Sequence, residues 1–326
     1  MIIKYTLKTI KIPLKNPFVT ALRRVENIEA IQLEIFSSTH SGIGEAPATK
    51  AITGETLETI MITLQTVLLP VLLNKKFTSL KDMLDLLHGA ISKNSSAKAC
   101  LEIALYNLFA AQNNQTLLEF LGAKKREIKT DITISLGTID SMKKETSEAL
   151  KNHHDILKVK VGDKKYYHDD ILRIKAVREV APKAVILVDA NQAWNEYETL
   201  QIIDAIKHLN ISLIEQPVIA HDIQALKNIT LQSPIPILAD EAVFTLEDAK
   251  NIIMIEAAHM INIKLMKCGG ISKAIEILEL CRYHDIKCMM GSMLESPHSI
   301  YAAEVLSMLY HDVIIYNDLD SPLLYK

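Results

Sequence analysis

Hydrophobic and polar positions follow one rhythm in the first third of this chain and another in the rest. Over residues 2–12 and 29–36 they alternate, with Lys4, Lys8 and Lys11 on one side of the first run, which predicts antiparallel strands. A turn is predicted around Ser41–Gly44. Three helical patterns follow, near 54–74, 79–91 and 95–112, with apolar residues three and four apart. Strands followed by a run of helices predict an α+β unit over residues 1–125. From about Thr130 short apolar runs alternate with amphipathic stretches. The predicted strands are 130–136, 156–161, 184–189, 211–215, 235–239, 260–265, 287–292 and 312–317; the clearest helices between them are 166–181, 195–209, 245–257 and 271–285. Thr245, ahead of Leu246, Glu247 and Asp248, has the form of a helix cap with an acidic first turn. Eight strands alternating with helices predict an α/β fold, a TIM-type (β/α) barrel over residues 126–326, with a doubly wound open sheet as the alternative.

Composition narrows the function more than the fold. With 326 residues, 49% of them hydrophobic, the chain can build a large core. Its 36 basic and 39 acidic residues leave a net charge of −3, which gives no electrostatic footprint for nucleic acid or an anionic membrane. Apolar runs such as Val67 to Leu73 fall well short of the roughly 20 residues that span a bilayer. The N-terminus has no continuous apolar stretch of the signal-peptide kind. Cys100, Cys268, Cys281 and Cys288 form no CxxC pair and are expected to be reduced thiols of a cytoplasmic protein. The expected partner is a small molecule, and homo-oligomerisation is left open.

Polar residues end the apolar strands at a regular interval. Lys158 and Lys160 lie in Ile156–Val161, Asp189 and Asn191 follow Val188, Glu215-Gln-Pro217 follows Ile214, Asp240-Glu241 follows Ala239, and Lys264 follows Ile263. From Lys160 through Asp189, Glu215 and Asp240 to Lys264 the steps are 29, 26, 25 and 24 residues, about one βα unit each. In a barrel this places them together at the C-terminal mouth, where active sites are built. A single Asp after a strand is commonly a helix cap, and a single Lys there a solvated charge. Three acids in phase would repel one another unless a cation or protons neutralised them, and oxygen donors with an open side suit Mg²⁺. His153, His154 and His168 lie outside this register. Strand alternation turns Lys158 and Lys160 to one face, and neighbouring positive charge, each other's and the metal's, is expected to lower lysine pKa towards catalytic range. Two lysines on either side of a bound carboxylate could take a proton from one face of its α-carbon and return one to the other, with positive charge stabilising the ene-diolate.

These elements, KxK, DxN, EQP, DE and IKLxxxGG, occur in order at Lys158–Lys160, Asp189–Asn191, Glu215–Pro217, Asp240–Glu241 and Ile263–Gly270, and in them the chain resembles the enolase superfamily in its muconate-lactonizing-enzyme subgroup. The resemblance implies a modified barrel covered by the N-terminal unit as a capping domain, which the C-terminal tail completes. It implies one Mg²⁺ held by Asp189, Glu215 and Asp240, Lys160 and Lys264 as the acid/base pair, and Lys158 supporting Lys160. Glu295 matches a glutamate that hydrogen-bonds around the substrate carboxylate. Asp318-Leu-Asp320 is similar to the DxD element with which dipeptide epimerases bind an α-ammonium, and two carboxylates so spaced can flank one ammonium. Arg23 resembles a capping-loop arginine that pairs with a substrate glutamate, with Arg24 as a competing assignment. Thr133, in the first barrel strand, joins the substrate-binding set, and Ala51–Gly54 resembles a second capping loop.

The implied reaction is epimerisation at the C-terminal residue of a dipeptide, interconverting L-Ala-L-Glu and L-Ala-D-Glu as in recycling of peptidoglycan peptides. On the same scaffold, o-succinylbenzoate synthesis or muconate cycloisomerisation is the alternative; their substrates carry no ammonium for Asp318 and Asp320. A non-catalytic metal-binding barrel is the remaining reading, and it leaves two opposed bases without a use.

Overall fold

The computed structural model describes residues 1–162 and 166–326. The chain opens with β1 (Lys4–Val19), β2 (Arg24–Phe36) and β3 (Ser41–Pro47), paired antiparallel in that order. Helices α1 (Leu57–Thr63), α2 (Leu80–Gly89), α3 (Ser95–Gln112) and α4 (Leu117–Phe120) follow, with a π-helical turn over Leu64–Leu68 extending α1. The first hairpin is longer than the alternation suggested, with a register shift between Pro13 and Phe18. Ser41–Gly44 is strand rather than turn; the reversal lies one step earlier, where the Ser37 amide donates to the His40 carbonyl. Its glycines serve packing. A Cβ on Gly42 would lie 2.2 Å from the Ala104 carbonyl oxygen, and one on Gly44 1.9 Å from that of Cys100, so α3 rests directly on β3. That contact buries α3 on nearly every side.

The remainder repeats strand and helix: β4 (Ile132–Ile134), α5 (Ile139–Lys151), β5 (Ile156–Lys160), α6 (Tyr167–Val180), β6 (Val185–Asp189), α7 (Glu196–Ile206), β7 (Leu213–Glu215), α8 (Ile223–Gln232), β8 (Ile237–Ala239), α9 (Leu246–Met254), β9 (Met260–Lys264), α10 (Leu265–Cys268), α11 (Ile271–Tyr283), β10 (Lys287–Gly291), α12 (Pro297–Leu309), β11 (Ile314–Asp318) and α13 (Ser321–Leu324). The eight strands β4 to β11 pair parallel in sequence order. Between β11 and β4 the Asp131 amide donates to the Asn317 carbonyl (3.0 Å), and Thr130 Oγ1 accepts from the Leu319 amide (2.8 Å). Several helices start at a capping side chain, and Thr245 forms the expected box with Asp248. The four cysteines carry free thiols. Among the described residues no helix is long and apolar enough to cross a membrane.

Packing inside the barrel fixes the height of the functional residues. Leu187, Leu213, Leu238, Met260 and Met289, one from each of β6 to β10, form an apolar floor. Side chains two positions further along point the same way, roughly 6–7 Å higher. They are Asp189, Glu215, Asp240, Asn262 and Gly291. Above this layer the β1–β2 hairpin closes over the mouth: Leu14 and Ile28 pack on Leu294, Leu14 bridges to Tyr325, and the Lys326 amide donates to the Pro13 carbonyl (2.9 Å).

Candidate active site

Lys160, Asp189 and Glu215 lie side by side in the register of β5, β6 and β7, and Asp240 follows the end of β8. Lys264 ends β9, four strands from β5 in an eight-stranded ring, so Lys160 and Lys264 approach from opposite sides. All five are buried. The Lys160 ammonium lies 2.6 Å from Asp189 and that of Lys264 2.7 Å from Asp240. Lys158 sits between the acids, 2.5 Å from Asp318, 2.7 Å from Glu215 and 3.2 Å from Asp189. Burial opposes its charge, but Asp318, Glu215 and Asp189 together hold its pKa well above the ordinary value. Lys264 is raised as well, burial being outweighed chiefly by Asp240. Contact with carboxylates thus favours the ammonium form of Lys158 and Lys264.

The acids are more numerous than the lysines that meet them. Seven buried carboxyls (Asp131, Asp189, Glu215, Asp240, Glu241, Asp318, Asp320) gather at and beneath the barrel mouth with four buried ammoniums (Lys158, Lys160, Lys264, Lys267). Burial and then Asp189 push Glu215 up to about 7; burial and then Asp240 push Glu241 up to about 8. Burial also disfavours a charged Asp240, but Lys264 and Lys267 hold its pKa far below the carboxylate range. Glu241 Oε2 and Asn191 Oδ1 are buried without a hydrogen-bond partner. Oxygen donors, surplus negative charge and unsatisfied acceptors fit a hard divalent cation, so this chemistry suits Mg²⁺. Lysine ammoniums interleave Asp189, Glu215 and Asp240. Among the described residues, the trio of acids with one oxygen each within 4.8 Å of the others is Asp131, Asp318 and Asp320.

The substrate-side residues divide. Arg23, Lys160, Lys264, Asp318 and Asp320 line one cavity at the mouth, with Ile52 of the second loop beside them. The Arg23 guanidinium makes no ion pair among the described residues, and burial lowers its pKa to about 10. Arg24 is exposed and turns to Glu26 at 3.5 Å. Thr133 instead holds Asp320 by its backbone amide, 2.8 Å from Oδ2, and lines an adjoining cavity. Glu295 turns back into its own loop: its carboxylate accepts from the Met293 amide (2.8 Å), and its carbonyl accepts from the Tyr325 hydroxyl. It does not line the mouth, although Met293 and Leu294 do. Burial pushes it up to about 7.

Three residues were missed in the sequence. Asn262 donates to Glu215 (2.8 Å), and strand alternation with Lys264 could have found it. Lys267 is fully buried, 2.6 Å from Asp240, and also donates to the Asp240 and Asn262 carbonyls. Asp131 precedes β4 and faces inward with Thr133.

Residues 2–122 match the mandelate racemase/muconate lactonizing enzyme N-terminal domain, and residues 141–323 match the enolase C-terminal domain-like family. The chain belongs to the mandelate racemase/muconate lactonizing enzyme family of the enolase superfamily. Within that family it is 48% identical over 329 aligned residues to the L-amino acid-D/L-Glu epimerase of Sulfurimonas denitrificans, covering 100% of this chain and 94% of that one. Its fold is similar to the substrate-liganded L-Ala-D/L-Glu epimerase of Bacillus subtilis (TM-score 0.96, 36% identity, 100% and 91% of the two chains). It is also similar to a dipeptide epimerase of Enterococcus faecalis solved with Mg and L-Leu-L-Tyr (TM-score 0.95, 32% identity, 100% and 92%).

Proposed function

We propose that this chain is a Mg²⁺-dependent dipeptide epimerase that inverts the C-terminal residue of L-Ala-L-Glu and returns it from L-Ala-D-Glu. The observation that carries the reading is the pair of buried lysines facing each other across an arc of acids. The Arg23 guanidinium, without an ion pair among the described residues, and the Asp318/Asp320 carboxylates line the same cavity. Asp189, Glu215 and Asp240 would hold the cation, with Glu241 and Asn191 beside them. Bound Mg²⁺ would supply positive charge where negative charge gathers on the substrate carboxylate during proton removal. Arg23 pairs with the glutamate side chain, and Asp318 and Asp320 with the α-ammonium, so the dipeptide is held at both ends. One lysine, neutral at Nζ, takes the α-proton from one face; the other, as the ammonium, delivers a proton to the opposite face. As ligands of the cation, Asp189 and Asp240 would hold Lys160 and Lys264 less tightly, which would make proton release from either amine easier. Phe18, 5.8 Å from the Lys160 ammonium by its ring, and Ile52 help exclude water.

Action on a cell-wall-derived dipeptide would place the protein in the cytoplasm, in peptidoglycan recycling. The test is incubation with a dipeptide panel and Mg²⁺ in D₂O, followed by NMR. Deuterium at the C-terminal α-carbon and a changing diastereomer ratio are expected for glutamate-ended dipeptides. Absence of both across the panel would remove the reading.

A further inference from the structure

Asp131 is the buried group the mechanism leaves unused. It is 0% exposed, and neither carboxylate oxygen has a hydrogen-bond partner among the described residues. The barrel seam puts it there: the bonds from Asp131 to Asn317 and from Leu319 to Thr130 pull the start of β4 against the end of β11. One of its oxygens thereby comes within 4.8 Å of oxygens of both Asp318 and Asp320. Those two line the mouth cavity, whereas Asp131 lies outside that lining.

We infer that Asp131 is a third acceptor in the ammonium site, so that a primary α-ammonium is held by Asp131, Asp318 and Asp320 as a tripod. This rests on the dipeptide reading. A primary ammonium carries three N–H donors; Asp318 Oδ2 already accepts from Lys158 and Asp320 Oδ2 from the Thr133 amide, so the remaining oxygen of each acid answers two of the three. Three oxygens that all lie within 4.8 Å of one another can be reached from one central position at no more than about 2.8 Å from each, within N–H···O length. An ammonium entering past Asp318 and Asp320 would direct one N–H at Asp131. The charges facing Asp131 are Asp318, Asp320, Lys158 and Lys160; burial, then the two acids, push its pKa well up, and the two lysines do not offset this. An arriving positive charge answers that imbalance.

The test is calorimetric binding to Mg²⁺-loaded enzyme of L-Ala-L-Glu and of its N-acetyl derivative, which has no ammonium. Wild type, Asp131→Asn and Asp320→Asn are compared, with Asp131→Ser as a second variant should Asn fail to fold and thermal melting to check each. Asp131→Asn is expected to weaken L-Ala-L-Glu about tenfold or more, leave the N-acetyl ligand unchanged and keep the melting temperature. Unchanged L-Ala-L-Glu binding in Asp131→Asn, with loss in Asp320→Asn, would overturn the tripod and leave the dipeptide reading standing. Equal weakening of both ligands would also overturn it, by assigning Asp131 a structural role. Stabilisation of wild type but not Asp131→Asn by K⁺ would assign the trio to a metal ion instead. Equal binding of the two ligands by wild type would remove the dipeptide reading itself.

Discussion

Gly291 gives a sharp test of how finely Lys264 must be placed. It ends β10 beside Lys264 in register, and a Cβ there would lie 2.5 Å from Asn262 Oδ1 and 2.8 Å from Lys264 Cε. Carbon atoms in contact stand about 3.5–4.0 Å apart, so Gly291→Ala must displace the lysine end, the amide, or both, by roughly 1 Å. The amide is the one that donates to Glu215, so a candidate metal ligand is disturbed too. A misplacement of about 1 Å can cost on the order of 100-fold in rate. Overpacking a core costs about 1–3 kcal/mol, which for a chain this long lowers the melting temperature by about 2–4 °C. The assay is epimerisation of L-Ala-L-Glu with saturating Mg²⁺, alongside a thermal melt. The expected result is kcat lowered about 100-fold in a folded protein. Gly89→Ala is the control, since a Cβ there meets nothing within 4 Å. Wild-type kcat in Gly291→Ala would refute the reasoning, because the lysine position would then not matter to the rate.

Arg23→Met is expected to lower kcat/KM for glutamate-ended dipeptides about 100-fold, the value of roughly two charge-assisted hydrogen bonds, and to spare dipeptides ending in leucine. Arg24→Met should leave both unchanged, and steady-state kinetics on the two substrates checks this. Glu295 predicts a pH dependence of stability: its folded pKa, about 7, lies above the unfolded value near 4.3, so the folded state binds the extra proton. Stability should therefore fall by about 3 kcal/mol as pH rises from about 4.5 to 7 and then level off, whereas Glu295→Gln should lack this component in denaturant titrations at pH 5 and 8.

All eight barrel strands were legible because parallel strands covered by helices read as continuous apolar runs that end in a polar residue. Spacing of about one βα unit then aligned Lys160, Asp189, Glu215, Asp240 and Lys264 before any coordinates. The same logic misplaced Ser41–Gly44, since glycine favours turns but here makes room for α3. Sequence spacing shows which residues share a mouth, not which touch, so the three carboxylates that surround Lys158 and raise its pKa were not legible. Asp131 and Lys267 were passed over because their importance lies in burial, and a charged residue at a strand or helix edge ordinarily faces water. The direction of the Glu295 carboxylate, back into its own loop, was not legible.

The central claim is that the two lysines serve opposite faces of one α-carbon, and single variants at each test it most directly. Lys160→Ala and Lys264→Ala are incubated with Mg²⁺ in D₂O, separately with L-Ala-L-Glu and L-Ala-D-Glu, and α-proton exchange is followed by NMR. Both variants should lose epimerisation, and each should retain exchange with one diastereomer only, the retained diastereomer differing between them. Retention of the same diastereomer by both, or epimerisation surviving in either, would contradict the account.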